Sequence, residues 1–573
     1  MKYRWLLPPT QPGLVEPLCQ ALGVTPLLAQ CLVNRGHADP ARAAAFLEPR
    51  LRQLGDPGAL PHMATAVQRL WLAREQLEPV VIFGDYDVDG VTATALLLEV
   101  LRPLGWNVSH YLPHRLDEGY GLTQDAVETC LEQHPARLLL AVDCGSTARG
   151  TIAWLQTRGV EVLVLDHHQV CDPPPEPIAL VNPQLTPAGP QDHRELCSVG
   201  LAFKLAHALV KHARQRGLAA AEALDLRALL DLAALGTLAD MVPVTAENRI
   251  LVSAGLDRLN LLERPGLRAL REVAQIRGPI GPYEVGFQLA PRLNAAGRLE
   301  NATEALDLLL TRDRVAAEAL ARSLDARNRE RQNIERGIAE EVIAAVRSRF
   351  DPRADYVIVE GKLLWHVGVV GIVASRVLQE FYRPTIILGG DGHQWRGSGR
   401  SIDGFDLAAA LRACEDLLVR HGGHAMAAGV SIHPEKVPAF RQRLNALARE
   451  RLDPAQLQPV LRLDAELPLA EMNLESIGDL ERLRPAGPGN PPVHVLIRRL
   501  GLRRPPQRIG AAQHHLKLWV TDGKAQAEAV WWGGGQKPWP APPFDLACAP
   551  QINEFNDRRT VQLKLLDWRP AEP

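Results

Sequence analysis

Four short stretches carry side chains able to do metal chemistry. Gly84-Asp85-Tyr86-Asp87-Val88-Asp89-Gly90 sets three carboxylates on one loop, and anions that close repel strongly unless a cation offsets them. Val142-Asp143-Cys144-Gly145 and Asp166-His167-His168 each close a short apolar run, and Asp240 lies in Gly236-Thr237-Leu238-Ala239-Asp240-Met241 behind an apolar helix. Mixed carboxylate and imidazole donors suit Mn²⁺ better than Ca²⁺, with Mg²⁺ also open. A pair of such cations can steady both the attacking and the leaving oxygen of a displacement at phosphorus. The expected chemistry is phosphoester hydrolysis at a site of two ions.

Each stretch alone has an ordinary explanation. Asp85, Asp87, Asp89 and Gly90 fit the first half of an EF-hand loop, but Leu96 stands where a bidentate Glu is needed and a strand rather than a helix precedes the loop. Asp87 to Val91 also reads as DxDGV, in which Asp87 would be a covalent nucleophile and Asp89 an acid and base. That reading explains one loop and gives Asp143 and the histidines no purpose. Adjacent histidines are commonly surface or core residues, Asp143 alone would be a strand-end cap, and Asp240 a helix-terminal carboxylate. Specificity lies in the joint pattern.

The elements that must position these residues follow from periodicity. From Pro79 to about Gly266, short apolar runs (Val80 to Phe83, Leu138 to Val142, Val162 to Leu165) alternate with helix-period stretches (Val91 to Leu104, Arg149 to Thr157). This predicts an α/β domain with a parallel sheet covered on both faces, whose ligands collect at the carboxyl ends of the strands. Residues 1–75 read as a helical appendage of that domain, which extends over 1–300. Ala302 to Phe350 has no internal Gly or Pro before Gly337, and predicts a long connecting helix over 301–350. A smaller α/β domain over 351–452 follows, with strands at Tyr356 to Val359 and Thr385 to Leu388 and helices at Val369 to Phe381 and Phe405 to Leu418. Over 453–573, period-2 runs at Val493 to Leu500, His515 to Val520, Gln526 to Trp532 and Val561 to Leu566 predict a small OB-like β-barrel.

Bulk properties narrow the class. At 573 residues the chain is too long for one core, and 46% hydrophobic with 23% charged residues is the composition of a packed globular protein. The apolar runs fall well short of the roughly 20 residues that span a membrane, and Met1 to Pro9 has no export signal, so a cytoplasmic protein with no membrane partner is expected. The eight cysteines form no CxxC pair and read as reduced bystanders. A net charge of −2 gives no global pull toward nucleic acid, so contact with DNA falls to local patches. One such patch is Arg498, Arg499, Arg503, Arg504 and Arg508, with Trp519, Trp531 and Trp532 nearby; its plain alternative is a solvated edge.

Taken in order, GDYDVDG, VDCG, DHH and LADM resemble the DHH phosphoesterases, and within them the bacterial single-strand-specific exonucleases. The resemblance spans nearly the whole chain. It continues through Tyr111 to Leu122, Ala290 to Arg298, Trp365 to Arg376, Gly399 to Ser401 and Gly422 to Gly429, the last three runs being similar to the family's DHHA1-type substrate domain. Members often begin the first motif with His; here Asp85 takes that place. The resemblance implies metal ligands Asp85, Asp87, Asp89, Asp143, His167 and Asp240, with Asp87 and Asp143 on one ion, Asp89, Asp143, His167 and Asp240 on the other, and Asp143 between them. It implies that His168 faces the scissile phosphate and that Asp166 orients the imidazoles. Arg115, Arg292, Asn294, Arg298, Arg376, Arg400, Ser401 and His424 are the implied binders of a 5′-phosphorylated end. The implied function is a monomeric, Mn²⁺- or Mg²⁺-dependent 5′-to-3′ exonuclease on single-stranded DNA, releasing 5′-mononucleotides. Its implied setting is repair and recombination, with a RecQ-type helicase and a single-strand-binding protein as partners. Cleavage of oligoribonucleotides or cyclic dinucleotides, or a catalytically silent DNA-binding scaffold, are the alternatives; the added C-terminal domain opposes the first and the full set of carboxylates opposes the second.

Overall fold

The computed structural model describes residues 3–114, 118–119, 121–186, 192–299, 301–390, 392–555 and 558–572. The chain divides into two compact units, one of Leu7–Ala326 with Leu463–Pro573 and one of Met1–Leu6 with Arg327–Arg462.

The centre of the larger unit is a five-stranded parallel sheet in the order Val108–Tyr111, Val80–Gly84, Leu138–Val142, Glu161–Leu165, Ala179–Val181. All five residues of Val80–Gly84 and of Leu138–Val142 are buried, as expected for strands covered on both faces. Val80 and Ile82 enter one apolar cluster while Val81 and Phe83 enter another, following the two-residue alternation of a strand. Gly84 pairs with Val142, Val142 with Leu165, and Leu165 with Val181. The strands therefore end in one row, and the residues that follow are Asp85, Asp143, Asp166 and Asn182. The order of strands along the chain also reverses beside Val80–Gly84, with the next strand in sequence, Val108–Tyr111, on one side and the one after it, Leu138–Val142, on the other, which is where ligands collect in such sheets.

Helices Val88–Leu101, Ser198–Gln215, Leu230–Ala239 and Ala246–Asn260 build the thick layer over the first face. A Cβ on Gly255 would lie 2.3 Å from the carbonyl oxygen of Leu230, so only glycine lets these two helices approach so closely. The expected strands and helices of this domain are present. Val108–Tyr111 and Ala179–Val181 were not expected, being short, and the first is only half-buried along its length.

The C-terminal strands Val495–Ile509, His515–Thr521, Gln526–Trp531, Arg558–Pro570 and Phe544–Phe555 pair successively, and Phe544–Phe555 pairs back onto Val495–Ile509, closing a ring. Phe544–Phe555 escaped the sequence reading because Ala547 and Ala549 turn its alternation into a continuous apolar run and Pro550 stands within it. Helices Pro12–Leu22, Pro26–Asn34 and Pro40–Leu47 bury Leu18, Leu28, Leu32 and Phe46 in the same cluster as Val495, Leu516, Leu518 and Phe544. Of the appendage expected on the first domain, residues 12–47 thus share their core with the last, while helix Met63–Glu75 packs into the first domain's own core. Buried Arg249 ties the three parts together. Its guanidinium stacks over Phe46 at 3.9 Å and donates to the carbonyls of Phe46 at 2.7 Å, Leu483 at 3.0 Å and Arg484 at 2.8 Å.

The smaller unit holds a five-stranded sheet in the order Leu418–Gly423, Ala427–Ile432, Trp395–Arg400, Thr385–Gly390, Ile358–Leu363. Only the last two strands were expected, because Arg396 to Arg400 and His421 to Gly423 are glycine-rich and read as turns. The helix expected over Phe405 to Leu418 is shorter, Leu407–Arg412, and the chain turns at Glu415–Leu417 into a strand. The long helix runs over Arg314–Arg347, about 50 Å at 1.5 Å per residue. It does not reach back to Ala302. Thr303–Leu310 is a separate helix, and Asp313 starts the next by accepting from Val315 N at 2.8 Å. Among the described residues no helix is long and apolar enough to cross a membrane.

Replacing Arg249 by Met keeps most of the volume and leaves its carbonyl partners without a donor inside the core. Arg249→Met is expected to lower stability by about 3 kcal/mol, seen as a lower urea midpoint for the larger unit.

Candidate metal centre

The first loop is fixed by its own backbone. Asp87 caps helix Val88–Leu101, its Oδ1 accepting from Asp89 N at 2.9 Å and Gly90 N at 3.1 Å, and Asp85 Oδ1 accepts from Tyr86 N at 2.8 Å. A Cβ at Gly90 would lie 2.5 Å from Asp85 O and 2.7 Å from Asp85 N, so the helix can begin against the loop only with glycine there. Asn294 Oδ1 accepts from Val88 N at 3.2 Å, bracing the same turn from helix Ala290–Leu299.

Two helix ends supply the rest. At the start of Ser198–Gln215, Ser198 N and Val199 N donate to Asp89 at 2.7 and 2.8 Å, and Ser198 Oγ donates to Asp143 Oδ1 at 2.8 Å. Asp240 closes helix Leu230–Ala239. That helix reaches the site because Gly236 has no side chain; a Cβ there would sit 2.3 Å from Thr92 Oγ1.

These elements converge on His167. Its Nε2 lies 3.4 Å from Asp240 Oδ2, 3.6 Å from Asp143 Oδ1 and 3.9 Å from Asp89 Oδ2. Asp143 Oδ2, His167 Nε2 and Asp240 Oδ2 are buried without a hydrogen-bond partner, a costly state for polar atoms. Among the described residues, donor atoms fall into three groups within cation-bridging distance, two of which share Asp143: Asp85, Asp87 and Asp143; Asp143, His167 and His168; and, separately, Asp89, Cys197 and Asp240. Divalent cations fit this donor set, since they satisfy the orphaned atoms and offset the clustered negative charge. Asp143 is common to two groups, and its backbone takes φ +65°, a left-handed conformation that costs energy in a non-glycine residue and recurs at functional sites.

Electrostatics follow from the same geometry. Burial, reinforced by Asp87, Asp89, Asp85 and Asp240, pushes the Asp143 carboxyl well above the usual carboxylate range. Burial with Asp89 and Asp87 pushes Asp240 up to about 9. Burial also raises Asp89, against the opposing pull of His167, and holds His167 below the ordinary histidine value.

Asp166 differs from the other carboxylates. Its Oδ1 accepts from His167 N at 2.8 Å, His168 N at 3.2 Å and the His168 Nδ1 ring position at 2.8 Å, while Oδ2 accepts from Ser146 N at 3.0 Å. Burial alone would raise it, but the hydrogen bond and charge of His168 outweigh burial and keep it ionised far into acid. In return, although burial favours the neutral ring, the hydrogen bond and charge of Asp166 raise His168 to about 9. Asn182 Nδ2 donates to His168 O and to Ser146 Oγ, both at 2.8 Å. Asn182, Ser146 and Ser198 were missed by sequence reasoning. The row of strand ends would have pointed to Asn182; no local pattern marks Ser198.

The expected substrate binders are dispersed. Arg115 lies outside the described residues. Arg292 Nε pairs with Asp325 at 2.9 Å, Asn294 braces the metal loop, and Arg298 stands on the same helix. In the smaller unit, Arg376 Nε pairs with Glu335 at 2.5 Å, and Arg400 donates to Ser398 Oγ at 2.9 Å and to Gly399 O at 2.8 Å. Ser401 is buried and donates to Phe405 O at 2.6 Å, a turn contact, while His424 N donates to Ala427 O at 2.8 Å within the strand hairpin.

Comparison with known proteins adds the following. Three family models match: the DHH family N-terminal domain over residues 79–237, the DHHA1 domain over 354–450 and the RecJ OB domain over 463–567. The single-stranded-DNA-specific exonuclease RecJ of Bacillus subtilis (strain 168) is 37% identical, over 100% of this chain and 71% of that protein. Its counterpart from Salmonella typhimurium is 36% identical, over 95% of this chain and 96% of that one. The crystal structure of RecJ in complex with Mn²⁺ from Thermus thermophilus superposes with a TM-score of 0.85 at 32% identity, over 100% of this chain and 80% of that chain. The Mg²⁺ complex from the same organism gives a TM-score of 0.80 at 31% identity, over 100% and 79% of the two chains.

Without metal, folded Asp240 holds a proton up to about pH 9, whereas its ordinary value is 3.8. The stability this group contributes is complete below its unfolded value and drains away as pH rises through its folded one. In chelator, the melting temperature of the wild type is expected to fall, relative to Asp240→Asn, as pH is raised from about 5 to about 9. Mn²⁺ should raise the wild-type melting temperature, and that of Asp240→Asn by less, since only one of the two ions loses a ligand; differential scanning fluorimetry reads both.

Proposed function

The chain belongs to the RecJ family of single-stranded-DNA-specific exonucleases, and we propose that it degrades single strands 5′-to-3′, releasing 5′-mononucleotides at the cluster around Asp143. It is a hydrolytic nuclease of the DHH phosphoesterases that works with a divalent cation, Mn²⁺ or Mg²⁺. The observation that carries the assignment of the site is the set of three unpartnered buried atoms on Asp143, His167 and Asp240.

In this reading Asp85, Asp87 and Asp143 hold one ion, and Asp89, Asp143, His167 and Asp240 hold the other. Bound there, such ions supply a hydroxide at neutral pH and offset charge on the phosphoryl oxygens. The remaining work is done by the chain. Asp143 is held by Ser198 Oγ at 2.8 Å and is shared by both halves of the site. His168, whose protonated form Asp166 favours, is proposed to present a donor where a phosphate must dock. Asp166 is a positioning residue that keeps the ring in place. Asp87 need not act as a nucleophile; its Oδ1 is engaged as a helix cap. Arg292 and Arg298 in the larger unit and, separately, Arg376, Arg400 and His424 in the smaller are proposed binders of a 5′-phosphorylated end, while Asn294 and Ser401 brace the backbone of their own units.

The C-terminal ring is proposed to grip the strand. The Arg504 guanidinium carbon sits over Trp519, 3.2 Å from the ring centroid, with Lys517 Nζ 5.6 Å from the same centroid, and Trp532 is exposed, a pairing of cation and ring suited to bases and phosphates. Arg498 is instead spent on Glu466 at 2.8 Å and Asp545 at 3.3 Å. All eight thiols are unpaired, in keeping with the cytoplasm. A RecQ-type helicase and a single-strand-binding protein are the partners proposed, since the substrate must be opened from duplex and kept open.

With Mn²⁺ and strands labelled at either end, label at the 5′ end should appear first as mononucleotide, single strands should be cut in preference to duplex, and Asp143→Ala should release neither. Release of 3′ label first would sink the polarity. Separately, Arg504→Ala with Trp519→Ala should weaken strand binding about tenfold and reduce the salt slope by about one, with hydrolysis of a dinucleotide unchanged.

A further inference from the structure

Tyr283 and Phe287 are left open to water, 61% and 69% exposed. Their ring centroids are 5.0 Å apart with planes tilted by 28°, so the two rings stack on one another and the pair is left to offer its outer aromatic faces to solvent. They contribute little to the core, which the same turn reaches through Val285 and Leu289. The turn is firmly seated: Asn260 Oδ1 accepts from Ile280 N at 2.8 Å and Asn260 Nδ2 donates to Ile280 O at 2.9 Å. Val285–Leu289 is a π-turn, a widened helical turn that is uncommon except at functional sites.

What gives the pair a purpose is the helix it leads into. Ala290–Leu299 follows without a break, and it carries Asn294, which accepts from Val88 N at 3.2 Å. It also carries Gly297, where a Cβ would lie 2.7 Å from Tyr86 O. The helix therefore lies directly on the loop of Asp85, Asp87 and Asp89. Phe287 precedes Asn294 by two turns, about 10 Å along the axis, or roughly three stacked bases at about 3.4 Å each.

We infer that Tyr283 and Phe287 form a stacking platform for bases of the single strand a few nucleotides from the one being cut. This rests on the reading of the chain as a single-strand exonuclease. Every base offers a π-face, so stacking holds a strand of any sequence, as an enzyme that must proceed through all of them requires. A stacked strand is also one whose bases are unpaired and splayed, so the platform favours single strands over duplex. A second copy of this chain is the other occupant such a surface could take.

The test uses the full-length protein with Mn²⁺ and measures kcat and KM on an oligonucleotide and on the same oligonucleotide made abasic at internal positions. Phe287→Ala is expected to raise KM about tenfold on the normal strand with kcat unchanged, and to match the wild type on the abasic one. Phe287→Trp should retain the wild-type KM, and Phe287→Leu, which keeps apolar bulk without a ring face, should not. Rescue by Leu, or an equal rise on the abasic strand, would overturn the platform. So would an unchanged KM, whether or not Phe287→Ala shifts the gel-filtration volume; a shift would mark the surface as an interface between copies. If the wild type cuts no oligonucleotide at all, the functional reading fails and this inference falls with it, which is a different result from intact cutting with unaltered KM.

Discussion

Asp143 is 1% exposed, one of its oxygens meets no donor, and its neighbours are Asp85, Asp87, Asp89 and Asp240. Charges of one sign at such separations repel by several kcal/mol when water is excluded, so this is not a cluster that packing alone would assemble. The larger unit is arranged around holding it together. The sheet register brings three strand ends into line, backbone amides at the start of Ser198–Gln215 grip Asp89, and the missing side chains of Gly90 and Gly236 let two helices close over the site. The positive φ of Asp143 belongs to the same account: the backbone is strained so that its side chain faces the other carboxylates.

Asp166 shows how the same residue type is made to behave differently a short distance away. Four donors surround it, so it stays ionised, anchors the backbone of both histidines and the ring of His168, and favours the protonated form of His168. Two roles for carboxylates on neighbouring strand ends thus come from hydrogen-bond supply rather than from residue choice.

Much of this was legible in the sequence because it is local. The loop at Asp85 to Gly90, the Asp143 strand end and the Asp166-His167-His168 run are contiguous motifs, and the buried strands that carry them are unbroken apolar runs. What escaped was set by distant packing. Ser198 is a helix-start serine like many others until the fold sets it beside Asp143, and Asn182 follows a strand of only three residues. Asn294, read as a substrate contact, also braces the metal loop, and nothing in its own stretch of sequence reveals that Val88 will face it. The glycine-rich strands Trp395–Arg400 and Leu418–Gly423 were invisible for a related reason: the signal for a strand is the side chains it packs, and these have few.

The core that joins Leu18, Leu28, Leu32 and Phe46 to the closing ring of strands also has a bearing on how the chain is made. Asn34 donates to the carbonyl of Asp464, a partner 430 residues further on. At about 5 to 20 residues per second on the ribosome, that partner emerges on the order of a minute later. Throughout that interval helices Pro12–Leu22, Pro26–Asn34 and Pro40–Leu47 present their apolar faces unmatched, so they stay open to misassociation until the strands that complete their core have been made.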